Sequence, residues 1–134
     1  MTEARVDQVH ADSVAAREFL SQAELFMTDS AIASLSAESQ VVLLHNATVA
    51  ACDAILQAAG LRVTAGDRSH VLRLETALDQ LEQDTEELLE ALDASRERRN
   101  EASYAAWFVA EASASDAREA TAQLIELTRS FIGS

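Results

Sequence analysis

The sequence predicts an all-α protein, a compact up-and-down bundle of about five helices forming a single domain over residues 1–134. Its 134 residues contain no Pro, only three Gly and 27 Ala, so helix breakers are scarce and the strongest helix former is abundant. Hydrophobic residues make up 49% of the chain, which favours a folded protein over a disordered one. They recur at helical spacing, and this periodicity is the main signal for amphipathic helices.

The first two helices are predicted from apolar periodicity and capping residues. The first covers roughly residues 12–27, and a segment rich in small polar residues follows it. The second begins near Ser36, an N-cap candidate, and ends at Gly60, a residue type that favours the left-handed C-terminal position. Asp53 is the only formal charge between Val41 and Ala59, so we expect this helix to be central and buried on several sides.

Three further helices are predicted after a loop at residues 60–69. The third begins near Ser69, and the pattern Asp84-x-x-Glu87 indicates either a new helix or a bend in one long helix. The fourth carries Leu88 and Leu92 on a stripe that continues to Ser95 and Arg99. The last helix begins near Ser113 or Ser115.

The termini and the single cysteine indicate a cytoplasmic protein. Residues 1–11 are polar and acidic, so we expect them to be flexible and not to be a signal peptide. Cys52 is the only cysteine, which excludes an intramolecular disulfide and suits a reducing compartment. The longest strongly apolar run is short, so we expect no membrane span. The residue usage, with ten Arg and no Lys, suggests a bacterial source.

Acidic residues dominate the charge and concentrate in one region of the chain. The net charge is -13, which argues against a general nucleic-acid coat protein. Between residues 75 and 93 the acids indicate either a solvated helix face or a docking face for a basic partner; they are Glu75, Asp79, Glu82, Asp84, Glu86, Glu87, Glu90 and Asp93.

Positive charge concentrates in the segment SRERRNEASYAAWF, which begins at Ser95. Arg96, Arg98 and Arg99 lie within four positions and Asn100 follows them. Arg99 continues the inward stripe of the fourth helix, where a cation is costly unless an anion meets it. We therefore predict a ligand-binding group made of Arg96, Arg98, Arg99 and Asn100. Trp107 and Phe108 have two possible roles. They could stack on a nucleic-acid base, but we expect them to anchor the core or a dimer interface.

The segment RNEASY, at residues 99–104, resembles a motif of the HEPN superfamily (higher eukaryotes and prokaryotes nucleotide-binding domain). One bacterial branch of it carries Arg-x-x-Ala-x-Tyr, matched here by Arg99, Ala102 and Tyr104, in place of Arg-x4-His. The segments AACDAILQAAG and GDRSHVLRLETAL resemble the family's second and third helices, so the likeness covers nearly the whole chain. The resemblance implies a helical dimer whose two motifs face each other.

The resemblance also implies function. Many HEPN proteins are metal-independent ribonucleases, often toxins paired with a nucleotidyltransferase-like antitoxin. Here Arg99 and Asn100 would contact phosphate, but Tyr104 stands where the catalytic His would be, and a Tyr of ordinary pKa is a poor base. His70 is the alternative base. The tentative catalytic set is thus Arg99, Asn100, Tyr104 and His70.

Three interpretations remain open from the sequence. The first is a binding module for nucleotide, RNA or a partner protein, belonging to a toxin–antitoxin or defence system. The second is a metal-independent ribonuclease toxin. The third is a plain structural or interaction bundle whose arginines pair with its acids. No metal-ligand spacing and no cofactor motif occurs, so we expect neither a metal nor a cofactor.

Overall fold

Five helices and a two-stranded sheet make up the described part of the chain. The computed structural model describes the backbone of residues 2–105 and 111–133 and the side chains of residues 2–96 and 114–133. In chain order the elements are β1 (Val6–Gln8), α1 (Ser13–Ser30), α2 (Ala37–Ala59), β2 (Leu61–Val63), α3 (Ser69–Asp79), α4 (Glu86–Ala105) and α5 (Glu111–Ile132). The predicted all-α bundle of about five helices is confirmed.

Helix α2 is the central element, as its sequence predicts. It packs against α1, α3, α4 and α5, and its buried residues include Leu44 and Ile55. Ser36 caps its N-terminus by accepting a hydrogen bond from the Ser39 backbone N–H at 3.1 Å. Gly60 ends it in the left-handed conformation with φ 72°. Local capping chemistry therefore fixes both ends of this helix.

The apolar character of α2 also satisfies the length and composition test for a membrane span. It has 23 residues and a mean hydropathy of 1.4, and half of its most apolar window is buried inside the protein. A core helix of a soluble protein has the same properties. Because four other helices of the chain pack around α2, the fold is consistent with a soluble domain.

Helix α1 is one turn longer than predicted because tertiary contacts hold its C-terminal residues. Ser30 is fully buried, and its hydroxyl donates to the Met27 carbonyl at 2.7 Å. Arg118 of α5 donates to the Ser30 hydroxyl and to the Ser30 carbonyl, each at 2.9 Å. These bonds satisfy the Ser30 hydroxyl and the Ser30 carbonyl. A serine whose polar groups lacked such partners would favour the end of a helix.

The N-terminal residues form a strand where we expected flexibility. Strand β1 pairs antiparallel with β2, with Asp7 opposite Arg62. The Asp7 carboxylate forms ion pairs with Arg5 at 3.0 Å and Arg62 at 3.3 Å, and Val9 N–H donates to the Gly60 carbonyl at 2.8 Å. Strands of three residues have too little alternation to be recognised in sequence.

Helix α4 is a new helix and not a continuation of α3. The Asp84 carboxylate accepts from the Glu86 backbone N–H at 3.0 Å and so bonds one of the free donors at the helix start. Leu88, Leu92 and Ser95 are buried, which confirms the inward stripe as far as the side chains are described. The backbone of Arg99 lies in α4, whereas its predicted inward orientation falls outside the described residues.

Candidate functional site

A small cleft between α2, α3 and α4 brings together residues that are distant in sequence. Its volume is about 20 Å³, and it is lined by His45, Thr48, Val49, Cys52, His70, Arg73, Leu74, Leu92 and Arg96. Two predicted site residues, His70 and Arg96, therefore line the same cleft. Arg73 and Arg96 are the charged residues in this described lining, which also contains Val49, Leu74 and Leu92.

Helical spacing explains how each element supplies the cleft. On α2, His45, Val49 and Cys52 are separated by one turn each and share a face. On α3, His70 and Arg73 are three residues apart and also share a face. On α4, Leu92 and Arg96 are four residues apart, so Arg96 follows the buried leucine into the cleft.

The two cleft arginines are each held by a carboxylate. Arg73 approaches Asp53 of α2 with Nε 3.4 Å from Oδ1. Arg96 donates from Nε to Oδ1 of Asp93, one turn earlier on α4, at 3.1 Å. Both arginine side chains are only 25% exposed, so their positions are restricted by packing as well as by charge.

Burial raises the pKa of two groups at the cleft, the Asp53 carboxyl and the Cys52 thiol. Desolvation raises the pKa of Asp53 above its ordinary value, and the Arg73 charge opposes that rise. Burial likewise raises the pKa of the Cys52 thiol to about 12, with the Asp53 charge adding to the effect. Cys52 is therefore an unreactive core thiol at neutral pH, as its apolar surroundings predict.

Acidic residues of α4 and α5, together with Asp84, line a separate, larger groove. The groove has a volume of about 890 Å³ and lies between α4 and α5. Six carboxylates line it, those of Asp84, Glu86, Glu87, Glu90, Asp116 and Glu119. At 100° per residue, Glu87 and Glu90 point away from the side that carries Arg96. Among the described residues, neither of these two glutamates forms an ion pair with an arginine.

The remaining predicted site residues are described only as backbone or not at all. Arg98, Arg99, Asn100 and Tyr104 belong to α4, and their side chains lie outside the described residues. Trp107 and Phe108 lie wholly outside them. No group of three or more His, Cys, Asp or Glu suited to a metal ion occurs among the residues that the structure describes.

Two residues that line this cleft, Arg73 and His45, were not among the predicted site residues. His45 of α2 is half-buried and lines the cleft as well. One sequence signal was available for Arg73. It follows His70 by one helical turn, so the two side chains share a face and meet the same neighbouring helices. The contact between α3 and α4 near Arg96 is a tertiary contact, and no local sequence pattern predicts it.

Fold and site together define a helical-bundle domain with a small cleft that two arginines and two histidines help to line. Comparison with family models, with curated proteins and with solved structures finds no match for this chain. The HEPN resemblance of residues 99–104 therefore stays a prediction.

Proposed function

We propose that this chain is a HEPN-like binding module that holds phosphate groups of a nucleotide or RNA at the basic segment of α4 and the adjoining cleft. The observation that carries the proposal is that Arg96 of this segment lines one cleft with His70 and Arg73. Guanidinium groups bind phosphate oxygens through two parallel charge-assisted hydrogen bonds. We place the protein in the cytoplasm of a bacterium, in a toxin–antitoxin or defence system.

The charge distribution supports local rather than general binding of nucleic acid. A net charge of -13 repels phosphates over most of the surface. The carboxylates of the α4–α5 groove lie on the other side of α4 from Arg96. A phosphate group would therefore approach from the cleft side, where the charged lining residues are Arg73 and Arg96.

Binding of adenosine 5′-monophosphate and of a short single-stranded RNA tests this proposal. We expect Arg99→Gln and Arg96→Gln each to weaken binding by about 1–3 kcal/mol through lost charge-assisted bonds. Arg17→Gln is the matched control, because Arg17 is exposed on α1 and its loss changes the net charge equally. Equal affinities for the wild type and all three variants would contradict the proposal and favour the plain structural bundle.

A homodimer is part of the proposal because the resemblance implies one. The apolar surface of α2 gives it little added support, since four helices of the same chain pack against that helix. Support comes from Trp107 and Phe108, large apolar residues beside the basic segment. Light scattering of the purified protein is expected to give the mass of two chains, and the mass of one chain would remove the dimer from the proposal.

A second candidate function is metal-independent RNA cleavage, favoured by the presence of His45 and His70 in the same cleft as Arg96. A His has the ordinary pKa that suits a general base near neutral pH. We expect His70→Ala to slow cleavage by about 100-fold or more, Tyr104→Phe to act mainly on binding, and the activity to survive EDTA. Activity that returns only with magnesium or manganese would contradict this candidate.

The identity of the partner protein can be tested independently of phosphate binding and of RNA cleavage. We propose a nucleotidyltransferase-like antitoxin, because that is the partner which the resemblance implies. Co-expression with the neighbouring gene and purification through a tag on this chain is the measurement. A stable complex with a nucleotidyltransferase-like protein is expected, and a neighbour of another class that fails to bind would contradict the pairing.

A further inference from the structure

The outer edge of strand β1 is open. Strand β2 packs against α2 and α3, which makes β1 the outer strand of the sheet. The Val9 backbone N–H donates to the Gly60 carbonyl at 2.8 Å, and the sides on which successive residues bond alternate along an antiparallel strand. The backbone groups of Val6 and Gln8 therefore point away from β2. Among the residues that the structure describes, none forms a backbone hydrogen bond with these outward groups.

Val6 is the centre of this edge, and its residue is 39% exposed. It lies opposite Val63 of β2, and Val63 and Leu61 pack, partly buried, against the hydrophobic core. The side of the sheet that carries these residues is thus apolar and ends at an exposed valine. A further strand added at this edge would cover Val6 and bond its free backbone groups, which is how exposed strand edges recruit a partner.

The other side of β1 carries charges that are available to a partner. Arg5 donates from Nε to Oδ1 of Asp7 at 3.0 Å, and its side chain is 65% exposed. Asp7 also pairs with Arg62 of β2 at 3.3 Å, so two cations share one carboxylate. A chain of net charge -13 repels its own copies over most of its surface. This strip carries more positive than negative charge, so repulsion between two copies is weakest here.

The sequence of β1 is complementary to itself in one antiparallel register. When two copies pair about Val6, each Val6 faces the other and the two exchange backbone hydrogen bonds. Arg5 of each copy then faces Asp7 of the other at a non-hydrogen-bonded position, where side chains approach most closely. Opposite charges and apolar residues that face each other across strands stabilise a sheet. Pairing about one residue also has the two-fold symmetry of the commonest oligomers.

The neighbouring registers lack this complementarity. A shift of two residues is the smallest that keeps the outward backbone groups of both strands facing each other. A shift in one direction places Arg5 opposite Arg5, and a shift in the other places Asp7 opposite Asp7. Like charges directly opposite each other are destabilising, so the pattern of β1 favours the register centred on Val6.

We propose that β1 is a docking surface for a second copy of this chain, whose own β1 pairs antiparallel with it about Val6 and completes a four-stranded sheet. A second copy fits better than an unrelated strand because the charges of β1 complement the same sequence running in the opposite direction. This surface is separate from residues 96–108, on which the dimer of the proposed function depends. Short interfaces are weak, so we expect a Kd of about 10–100 μM.

Cysteine cross-linking of the full chain tests the register. Val6→Cys is expected to form a disulfide-linked dimer on mild oxidation, because the Cα atoms of a hydrogen-bonded pair lie about 5.5 Å apart, within the span of a disulfide. Gln8→Cys is the matched control on the same edge, since in this register its counterpart lies about 13 Å further along the strand. Cys52 is buried in both variants. Equal or faster cross-linking of Gln8→Cys would overturn the proposed pairing.

Sedimentation equilibrium at concentrations that span the expected Kd tests the surface itself. Val6→Lys places two cations opposite each other and is expected to raise the Kd by about tenfold or more. Val9→Lys is the matched control, because Val9 is 41% exposed and faces Glu3 of the second copy in this register. It is expected to change the Kd by less than about threefold. Circular dichroism checks that both variants fold.

The outcomes separate this surface from the dimer of the proposed function. A dimer that Val6→Lys and Val9→Lys weaken equally, or that neither weakens, would overturn pairing through β1 while the dimer at residues 96–108 stands. A wild-type protein that stays monomeric over the whole concentration range would overturn both interfaces.

Discussion

Replacement of Gly60 by Ala tests the junction between α2 and the N-terminal strand. Gly60 has φ 72° and ψ 42°, a left-handed conformation that costs a residue with a Cβ about 1–2 kcal/mol. A Cβ at this position would lie 2.7 Å from the Val9 carbonyl oxygen and 3.2 Å from the Ala11 backbone nitrogen. Both neighbours are backbone atoms, so neither is relieved by a change of rotamer.

The contact with Val9 adds a second cost to the conformational one. Val9 N–H donates to the Gly60 carbonyl at 2.8 Å, and Asp12 N–H donates to the Gln57 carbonyl at 2.9 Å. Residues 9–11 must move to accommodate the Cβ, and loss of one of these bonds costs about 0.5–1.5 kcal/mol. We therefore expect Gly60→Ala to lower the free energy of unfolding by about 2–3 kcal/mol and the Tm by about 7–11 °C.

Urea and thermal unfolding followed by far-UV circular dichroism measure this change. Gly133→Ala is the control, since Gly133 has φ 77° but, apart from its chain neighbours, no described residue lies within 4 Å of the added Cβ. At that position only the conformational cost remains, so its effect is expected to stay below about 2 kcal/mol. A Gly60→Ala protein within about 0.5 kcal/mol of wild type would refute the reasoning about the junction.

The remaining predictions concern three partly or fully buried polar groups. Arg118→Met removes three hydrogen bonds to Ser30 and Gln40 and is expected to destabilise the protein by about 2–3 kcal/mol in urea unfolding, because Ser30 stays buried. Cys52, whose thiol pKa is raised to about 12, is expected to react with a thiol reagent only after unfolding. Asp53→Asn is expected to increase the Tm relative to wild type, and by more at neutral than at acidic pH.

The sign of the Asp53 effect follows from the direction of its pKa shift. Desolvation raises the pKa of Asp53 in the folded protein, so the folded state binds this proton more tightly than the unfolded state. The contribution of Asp53 to stability is therefore lost as the pH rises from its unfolded pKa, about 3.9, through the raised folded value. Asn has no such loss, and a Tm difference independent of pH would contradict the assignment.

Two controls accompany the other variants. Arg17→Met removes an exposed arginine from α1 and is expected to change stability by less than about 0.5 kcal/mol; an equal effect of Arg118→Met would show that its bonds contribute little. For Cys52, rapid labelling of the native protein would contradict the burial of the thiol.

Local chemistry made much of the fold predictable. The ends of α2 at Ser36 and Gly60 depend on a side-chain cap and a left-handed glycine, and both signals lie within a few residues of the structure they determine. The end of α1 was misplaced because a residue of α5, Arg118, supplies the bonds that extend it. The strands at Val6–Gln8 and Leu61–Val63 depend on pairing between segments far apart in sequence.

The candidate site was also predictable only where local sequence carries a signal. Clustering identified Arg96 within its own helix, and a family resemblance drew attention to His70. Their joint presence in one cleft depends on how α3 packs against α4, which no local pattern reports. Arg73 was missed because an isolated arginine has no distinguishing sequence context.

Ion pairing limits where a positive site could form in a protein of net charge -13. Five of the described arginines form ion pairs with nearby acids, and they are Arg5, Arg62, Arg73, Arg96 and Arg129. Exposed pairs of this kind contribute little stability and present little net field. Arg73 and Arg96 differ because their partners, Asp53 and Asp93, stand outside the cleft that both arginines line. On the proposed function, these two arginines are the described cations of the cleft at which a strongly acidic protein would bind an anion.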